Sequence, residues 1–596
     1  MKISMTINGQ VIEANQGQTV LEVLQDQSVD VPTLCYLKDL NDIAACRMCV
    51  AEVNGSRLQT TCTLQAADGM VVNTETERVN ASRKQTLELL ASYHSFDCWT
   101  CPREKNCDLF DQMRLYNVDD VFKHSFELEG KELKLNQSLA VTLDSSKCVH
   151  CSSCIAVCDQ IAGVGVLEYM ERGYDSVISP VFGKGSLDDV NCIGCGLCTK
   201  VCPTAAIVER DHIKRVEAAL EDPNIFVVAQ IDPAVRAAIG EEFGYDIGTP
   251  VETYDGQIFA AIQTLGFNDI TTTNLAQDFA VLESATELLH ELTKPEDQQQ
   301  FPLFSSCSAG WIRYAEQNHP EMLDHISTVK APHMIQGSFI KHFIAKDVYK
   351  VDPTKLFIVT VSPCTAHKSE ADRDDMVNDG LKNVDAVITT RELSRMIQYA
   401  RIDIDDLTPI TLSSPLDKSA NALAIPTVNG GLMEQIIRTA KQQSKESFAD
   451  AIVYETIPGH DGLLKANVTI QGTTLTIASA QGGKGMQDMM DYLAIQEANK
   501  AAGAAYETFH YVEFMGCPGG CINGGGQPIL REEYRSGLDV ATLRRQSIEQ
   551  SVHYQSDYVP QNELVAWYQS KVQAIGSPTA KRYLHTRYED KSFINK

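Results

Sequence analysis

The chain opens on a strict alternation of apolar and polar residues. ISMTI (3–7) alternates and is separated by NGQ from a second apolar run, VIE (11–13), so two strands joined at Asn8-Gly9 are predicted. TVLEVLQDQ shifts to helical spacing, and a second helical stretch runs from Val79 to about Leu90. After about Ile213 apolar, β-rich runs recur: FVVAQID (226–232), FPLFSS (301–306), KLFIVTV (355–361), VDAVITT (384–390) and FHYVEFM (509–515). Helical stretches such as PAVRAAIGEEFG, IRYAEQNHP and MIQGSFIKHFIAKDVY lie between them. That order predicts open sheets with helices on their faces, an α+β multi-domain protein whose largest part is α/β. TKPEDQQQ (293–300) reads as a surface loop, and the chain beyond Leu530 reads as helices carrying little chemistry.

A length of 596 residues exceeds one hydrophobic core, so several domains are expected. The start, MKISMTINGQ, lacks the apolar core of a secretory leader, and no apolar run reaches the length of a membrane span; a reducing cytoplasm is expected. A net charge of -28 argues against a nucleic-acid partner, because phosphate backbones are held by clustered Lys and Arg.

Nineteen cysteines change the picture most. Cys35, Cys46, Cys49 and Cys62 form C-x10-C-x2-C-x12-C, close to a plant-type [2Fe-2S] spacing with a longer first gap; tetrahedral sulfur also suits structural zinc. The strand prelude is β-grasp-like and favours the iron centre. Next comes H-x3-C-x2-C-x5-C, with Cys98, Cys101 and Cys107. Three cysteines do not complete a [4Fe-4S] cube, and His94, placed one helical turn before Cys98, is the candidate fourth ligand. Residues 148–158 and 192–202 then repeat C-x2-C-x2-C-x3-C at an offset of 44. In this bacterial ferredoxin run the fourth cysteine serves the other cluster. Cys148, Cys151, Cys154 and Cys202 are therefore assigned to one [4Fe-4S] cluster, and Cys192, Cys195, Cys198 and Cys158 to another. Gly194 and Gly196 let backbone amides approach the sulfurs. Cys307, Cys364 and Cys517 follow strands, and Cys521 comes four residues after Cys517, where the carboxyl ends of strands place active sites.

FSSCSAGW (304–311), SPCTAHKSEADR (362–373) and EFMGCPGGCINGGGQP (513–528), with the N-terminal cluster order and the final YLHTRY, resemble the large modular [FeFe]-hydrogenases. The resemblance implies a [2Fe-2S] ferredoxin-like domain (1–78), a [4Fe-4S] module with one histidine and three cysteine ligands (79–120) and a two-[4Fe-4S] ferredoxin-like domain (138–212). A catalytic domain with two helix-flanked sheets (224–530) and a C-terminal helical segment (531–596) follow. It further implies one [2Fe-2S] centre, three [4Fe-4S] clusters and an H-cluster, a cube joined to a two-iron centre carrying CO, cyanide and a dithiolate. Cys364, Cys517 and Cys521 are carried over as cube ligands, with Cys521 as the bridge. Met515 lines the cofactor pocket, and Gly524, Gly525 and Gly526 pack beneath the cluster. The implied reaction is reversible reduction of protons to H2, with ferredoxin or a flavin- or NAD-binding subunit as electron partner and dedicated maturation proteins. A non-hydrogenase electron-transfer subunit and an H2 sensor are the alternatives.

Three positions depart from the family pattern. In place of T-S-C-C-P-x-W, this chain puts Cys307 at the proton-relay position and Ser308 at the cube-ligand position. Either Cys307 binds the cube and no cysteine relay remains, or the cube has an oxygen or open corner. His367 stands where the family has a lysine that donates to a cyanide. Of the two glutamates of the family's proton path, Ser284 falls at the first and Glu287 at the second; Glu283 is expected to point off that helical face.

Overall fold

The computed structural model describes residues 1–118, 135–414, 416, 430–447, 451–460, 462–530, 538–551, 560 and 562–595. The ends expected at 120 and 531 for two of the domains lie outside these residues. Among the described residues no helix is long and apolar enough to cross a membrane.

The opening alternation forms strands Lys2–Ile7 and Gln10–Asn15, paired antiparallel from Lys2↔Asn15 to Ile7↔Gln10. Asn8 and Gly9 both take positive φ (47° and 85°), as a two-residue hairpin turn requires. Three further strands complete a five-stranded sheet in which Lys2–Ile7 also pairs in parallel with Val71–Asn73. Helix Val20–Asp26 starts at a capping box between Thr19 and Glu22 and buries Val20, Leu21, Val23 and Leu24 in this small core. Helix Glu77–Ala91 is tied to the sheet by buried Arg83, which donates to the carbonyls of Met48 (3.1 Å) and Val50 (2.9 Å). It ends at Ala91, so His94 lies beyond its end and no helical turn links it to Cys98, which starts a separate turn, Cys98–Thr100.

The repeat at offset 44 is visible in the backbone. His150 and Gly194 are both left-handed (φ 53° and 68°), as are Ser152 and Gly196 (φ 64° and 68°), and short helices Ser153–Ala156 and Leu197–Val201 follow. Since His and Ser adopt the same geometry in the first copy, φ alone does not demand glycine in the second. Space does: a Cβ on Gly196 would lie 2.4 Å from Thr365 Oγ1, in the large α/β domain.

That domain holds two sheets. One is four-stranded and parallel, in the order Asp269–Thr272, Phe226–Ile231, Leu356–Ser362, Ala386–Thr389. The other runs Leu303–Phe304, Tyr511–Met515, Thr473–Gln481, Leu463–Ile470, Glu455–Thr456. Helix Asn274–Thr293 serves both cores, with Leu275 and Phe279 in one and Val281, Ala285 and Leu288 in the other. A helix apolar on most of its faces is a buried helix. The hairpin Leu463–Ile470/Thr473–Gln481 was not anticipated, although its turn residues Gln471 and Gly472, at φ 52° and 77°, form a legible signal. The helix expected over PAVRAAIGEEFG is broken into Pro233–Arg236 and a 3-10 turn Ile239–Phe243, where Gly240 packs on the Tyr254 ring. MIQGSFIKHFIAKDVY begins as helix Pro332–Phe339 and widens to a π-helix, Ile340–Tyr349.

Candidate active site

Strand Leu356–Ser362 ends two residues before Cys364, strand Tyr511–Met515 two before Cys517, and Leu303–Phe304 three before Cys307. The loops at these carboxyl ends converge. Cys517 is buried, and Cys307, Cys364 and Cys521 are half-buried within a dense protein shell. Burial pushes the Cys521 thiol well up, and Asp232, Cys307, Cys364 and Cys517 push it further; burial and Cys517 do the same to Cys364. Cys307, Cys364 and Cys517 all act on Cys521, so the four side chains share one pocket, where burial and their mutual influence disfavour thiolates unless a cation shares their charge. The sulfur of Cys364 accepts the backbone N–H of His367, and that of Cys517 accepts the N–H of Gly525.

The glycine loop serves as a joint. A Cβ on Gly524 would lie 2.4 Å from the Pro363 carbonyl oxygen, one on Gly525 2.0 Å from that of Cys195, and one on Gly526 2.7 Å from Thr389. The close packing is therefore against the Cys364 loop and the second ferredoxin repeat. Thr365 Oγ1 donates to the Gly194 carbonyl (2.6 Å), Lys200 Nζ to Asn523 Oδ1 (2.6 Å), and Arg391 to the carbonyls of Gly525 (2.9 Å) and Gln527 (2.6 Å). Cys517 contributes to the upward shift of the Cys195 thiol, so the ferredoxin repeat reaches the four-thiol pocket. Gly525→Ala is expected to prevent this seating, because its Cβ meets rigid backbone; iron per chain should fall below wild type in a metal assay.

Upstream, one small cavity of about 20 Å³ is lined by Cys148, Cys151, Cys154 and Cys202, and another of the same size by Cys158, Cys192, Cys195 and Cys198. Asn41 Nδ2 donates to the carbonyls of Cys35 (2.6 Å) and Cys151 (2.9 Å), holding the first cysteine group against the first ferredoxin run. Within that group Cys49 Sγ lies 3.4 Å from Cys62 Sγ, and Cys46 N–H meets Cys35 Sγ at 3.5 Å. His94 is kept neutral, lowered to about 4 by burial and by Lys147, and its Nδ1 has no hydrogen-bond partner. The same Lys147 acts on Cys98 and Cys101.

The departing residues behave differently from one another. Ser308 Oγ caps helix Ala309–Asn318, accepting the N–H of Trp311 (3.4 Å), and it also accepts the N–H of Gly516 (3.2 Å). Cys307 is pushed up by burial, then by Glu513, Glu370, Asp232 and Cys364. His367 pairs through Nδ1 with Ser362 Oγ (2.8 Å), its Nε2 lies 3.9 Å from Glu370, and burial lowers it to about 4, so it is a neutral group where the family has a cation. Met515 closes its strand in the core, and Ser284 is buried in its helix.

Glu287 accepts from Ser327 Oγ (2.5 Å) and Thr328 Oγ1 (2.6 Å) and lies 3.5 Å from His585 Nδ1. Glu283 does not point away from it. His585 Nε2 is 3.0 Å from Glu283 Oε2, which also takes the Gly576 N–H, and Tyr568 OH donates to the same carboxylate. The C-terminal segment, expected to carry little chemistry, thus supplies an imidazole between two carboxylates. Burial would lower His585, but its hydrogen bonds to the Glu283 and Glu287 carboxylates outweigh it and raise it to about 9. Because its pKa is raised, the imidazolium contributes stability that is fully present below about pH 6.5 and is lost as the pH rises through about 9. Over that window stability should fall by on the order of 3 kcal/mol, and His585→Gln should abolish the dependence, as read from unfolding midpoints.

Sequence reasoning passed over Glu513, His333, Glu370 and His585. Glu513 accepts from Met433 N–H (3.0 Å) and Ser479 Oγ (3.3 Å) and is raised to about 7 by burial. Glu370, Glu513 and His585 lie inside the quoted motifs, while His333 had no signal beyond its place on an apolar helix.

Domains joined in this way around four converging thiols describe a protein built for several iron–sulfur clusters. The comparisons make the class specific. The iron only hydrogenase large subunit, C-terminal domain, matches residues 225–525, the 2Fe-2S iron-sulfur cluster binding domain 1–77, the 4Fe-4S dicluster domain 147–206, and the NADH-ubiquinone oxidoreductase-G iron-sulfur binding region 83–121. The NADP-reducing hydrogenase subunit HndD of Solidesulfovibrio fructosivorans is 35% identical over 91% of this chain and 91% of the relative. Iron hydrogenase 1 of Clostridium pasteurianum is 33% identical over 98% and 100%. Cytosolic iron-sulfur assembly component 3 of Bos taurus is 30% identical over 68% and 84%. An apo [FeFe]-hydrogenase HydA1 from Chlamydomonas reinhardtii superposes with a TM-score of 0.55 at 25% identity, covering 64% of this chain and 99% of that one. The chain belongs to the [FeFe]-hydrogenase family, in its modular form with appended iron–sulfur domains.

Proposed function

We propose that this protein exchanges electrons and protons with H2 at an H-cluster fed by an iron–sulfur relay. The observation that carries the reading is the convergence of Cys307, Cys364, Cys517 and Cys521 in one pocket that the second ferredoxin repeat reaches through Cys195. The donor set fits a cube: four thiols, with backbone N–H groups aimed at two of them and a glycine joint that no larger residue would allow. In this proposal Cys307 takes the fourth corner, because Ser308 Oγ is engaged as a helix cap. When bound, the H-cluster supplies an open iron position where two protons and two electrons combine to H2.

The rest of the chain feeds and insulates that position. Residues 1–78, a β-grasp fold, hold [2Fe-2S] on Cys35, Cys46, Cys49 and Cys62; residues 79–120 hold [4Fe-4S] on His94, Cys98, Cys101 and Cys107. Residues 138–212 hold two more cubes in the crossed arrangement, 224–530 form the catalytic domain, and 531–596 close it with His585. With Cys307 ligated and His367 neutral, side chains among the described residues that can hold protons near the pocket include Asp232, Glu513 and Glu370, while Glu287 and His585 hold them at the flank. The relative named as an NADP-reducing hydrogenase subunit supports a nicotinamide-linked partner subunit; ferredoxin or a flavin-bearing subunit as electron source, maturation proteins and a reducing cytoplasm complete the proposal.

Anaerobic maturation with a synthetic two-iron cofactor tests this. CO and cyanide infrared bands with H2 evolution from reduced viologen are the expected result; a fully iron-loaded protein without the bands would sink it. A second reading is favoured by the altered Ser308, His367 and Ser284: an H2 sensor, shown by intact bands with slow turnover, or an electron-transfer subunit, shown by clusters without bands.

A further inference from the structure

We propose that His333, His367 and Glu370 form a binding site for a single first-row divalent cation, of the Zn2+ or Fe2+ kind, in the wall of the cluster pocket. The three side chains are buried, and one donor atom from each lies within 4.8 Å of the other two. His333 comes from the first turn of helix Pro332–Phe339, while His367 and Glu370 lie three apart on helix Ala366–Ala371, one face of a single turn.

One edge has the length of a coordination shell and a second is close to it, while the His333 and His367 rings stack with centroids 4.0 Å apart. Glu370 Oε2 is 3.3 Å from His333 Nε2 and 3.9 Å from His367 Nε2, yet Glu370 Oε2 and both ring nitrogens of His333 make no hydrogen bond. Donor atoms about 2.0–2.1 Å from a tetrahedral metal are separated by about 3.3 Å, so the first edge already has the right length and the second needs a small rotation. Ser362 Oγ lies 2.8 Å from His367 Nδ1, placed to accept an Nδ1–H in the tautomer that leaves the Nε2 lone pair free, the outer-sphere arrangement that fixes a ligating imidazole. Two neutral imidazoles and one carboxylate are a borderline N2O set, the kind that takes zinc or ferrous iron with positions left open. Glu370 also lines a cavity of about 320 Å³ shared with Lys330 and Tyr588, through which a hydrated ion could enter.

The site goes beyond the hydrogenase reading, and its test is separate from the infrared bands, whose absence would leave it standing. Full-length protein with reconstituted iron–sulfur clusters is given Zn2+, dialysed, and examined at the zinc X-ray absorption edge. One zinc per chain with only nitrogen and oxygen neighbours at about 2.0–2.1 Å is expected. His333→Gln and Glu370→Gln should each weaken retention at least tenfold with iron per chain unchanged, and Ser362→Ala should do so by tenfold or more through the imidazole it orients. Sulfur neighbours at about 2.3 Å, equal retention by the variants, or no zinc in wild type would overturn it. The wild-type spectrum decides alone should a variant fail to load iron.

Discussion

Cys307→Ala is expected to remove the catalytic-domain cube, lowering iron by about four atoms per chain, while Ser308→Ala leaves iron unchanged. The reason lies in where the two side chains point. The oxygen of Ser308 receives two backbone N–H groups, one from its own helix and one from Gly516, whereas the thiol of Cys307 shares the electrostatic environment of Cys364 and Cys521. Iron–sulfur clusters favour thiolate over a hydroxyl that gives up its proton reluctantly. If Ser308→Ala were to release the iron and Cys307→Ala to keep it, the oxygen would be the ligand and the thiol free to move protons. Ser308→Cys extends the argument. A second thiol would release Cys307 for proton transfer, and H2 turnover of the matured protein should rise about tenfold or more, since a placed acid–base group is worth about 10²–10⁴.

Arg391→Met should be the most damaging change outside the cysteines. Arg391 Nη2 lies 2.6 Å from Glu209, its guanidinium also reaches the carbonyls of Gly525 and Gln527, and Arg395 Nη2 holds the other oxygen of Glu209 at 2.9 Å. Glu209 ends the ferredoxin strand Ile207–Glu209, so one buried ion cluster fastens the relay to the glycine loop of the pocket. Removing the partner of a buried charge costs about 3–5 kcal/mol, more than the pair itself is worth. The expected readout is a lower denaturant midpoint for loss of cluster absorbance and slower electron delivery from the N-terminal clusters. The pH dependence follows the same ion pair. Burial would raise Glu209, but Arg391 and Arg395 outweigh it and hold the carboxyl well below its ordinary range. Its contribution is therefore present above about pH 4.5 and is lost as the pH falls. Glu209→Gln should flatten that acid limb.

Elements driven by local pattern were legible before folding was considered. The Asn8-Gly9 hairpin, the helix after Val79, the strands ending near Cys364 and Cys517, and the repeat at 44 all rest on turn chemistry, periodicity or ligand spacing, which act over a few residues. Failures came where packing overrode propensity. The helix over PAVRAAIGEEFG gives way after Arg236 to a 3-10 turn in which Gly240 meets the Tyr254 ring, and Glu283, which shares a helical face with Glu287, is paired with a histidine 302 residues away.

The cysteine ledger shows the same division. Spacing alone pointed to a chain built to carry iron–sulfur clusters, because cysteines on one loop are held at fixed separations by the covalent chain. The family of its final cysteines was legible too, through short motifs. Tertiary structure decided what those motifs could not: that Ser308 is spent on a helix cap, that His367 faces Glu370 and His333, that the three glycines join two domains, and that His585 sits between two carboxylates. Each of these depends on groups brought together from distant segments, and such contacts leave no period in the sequence.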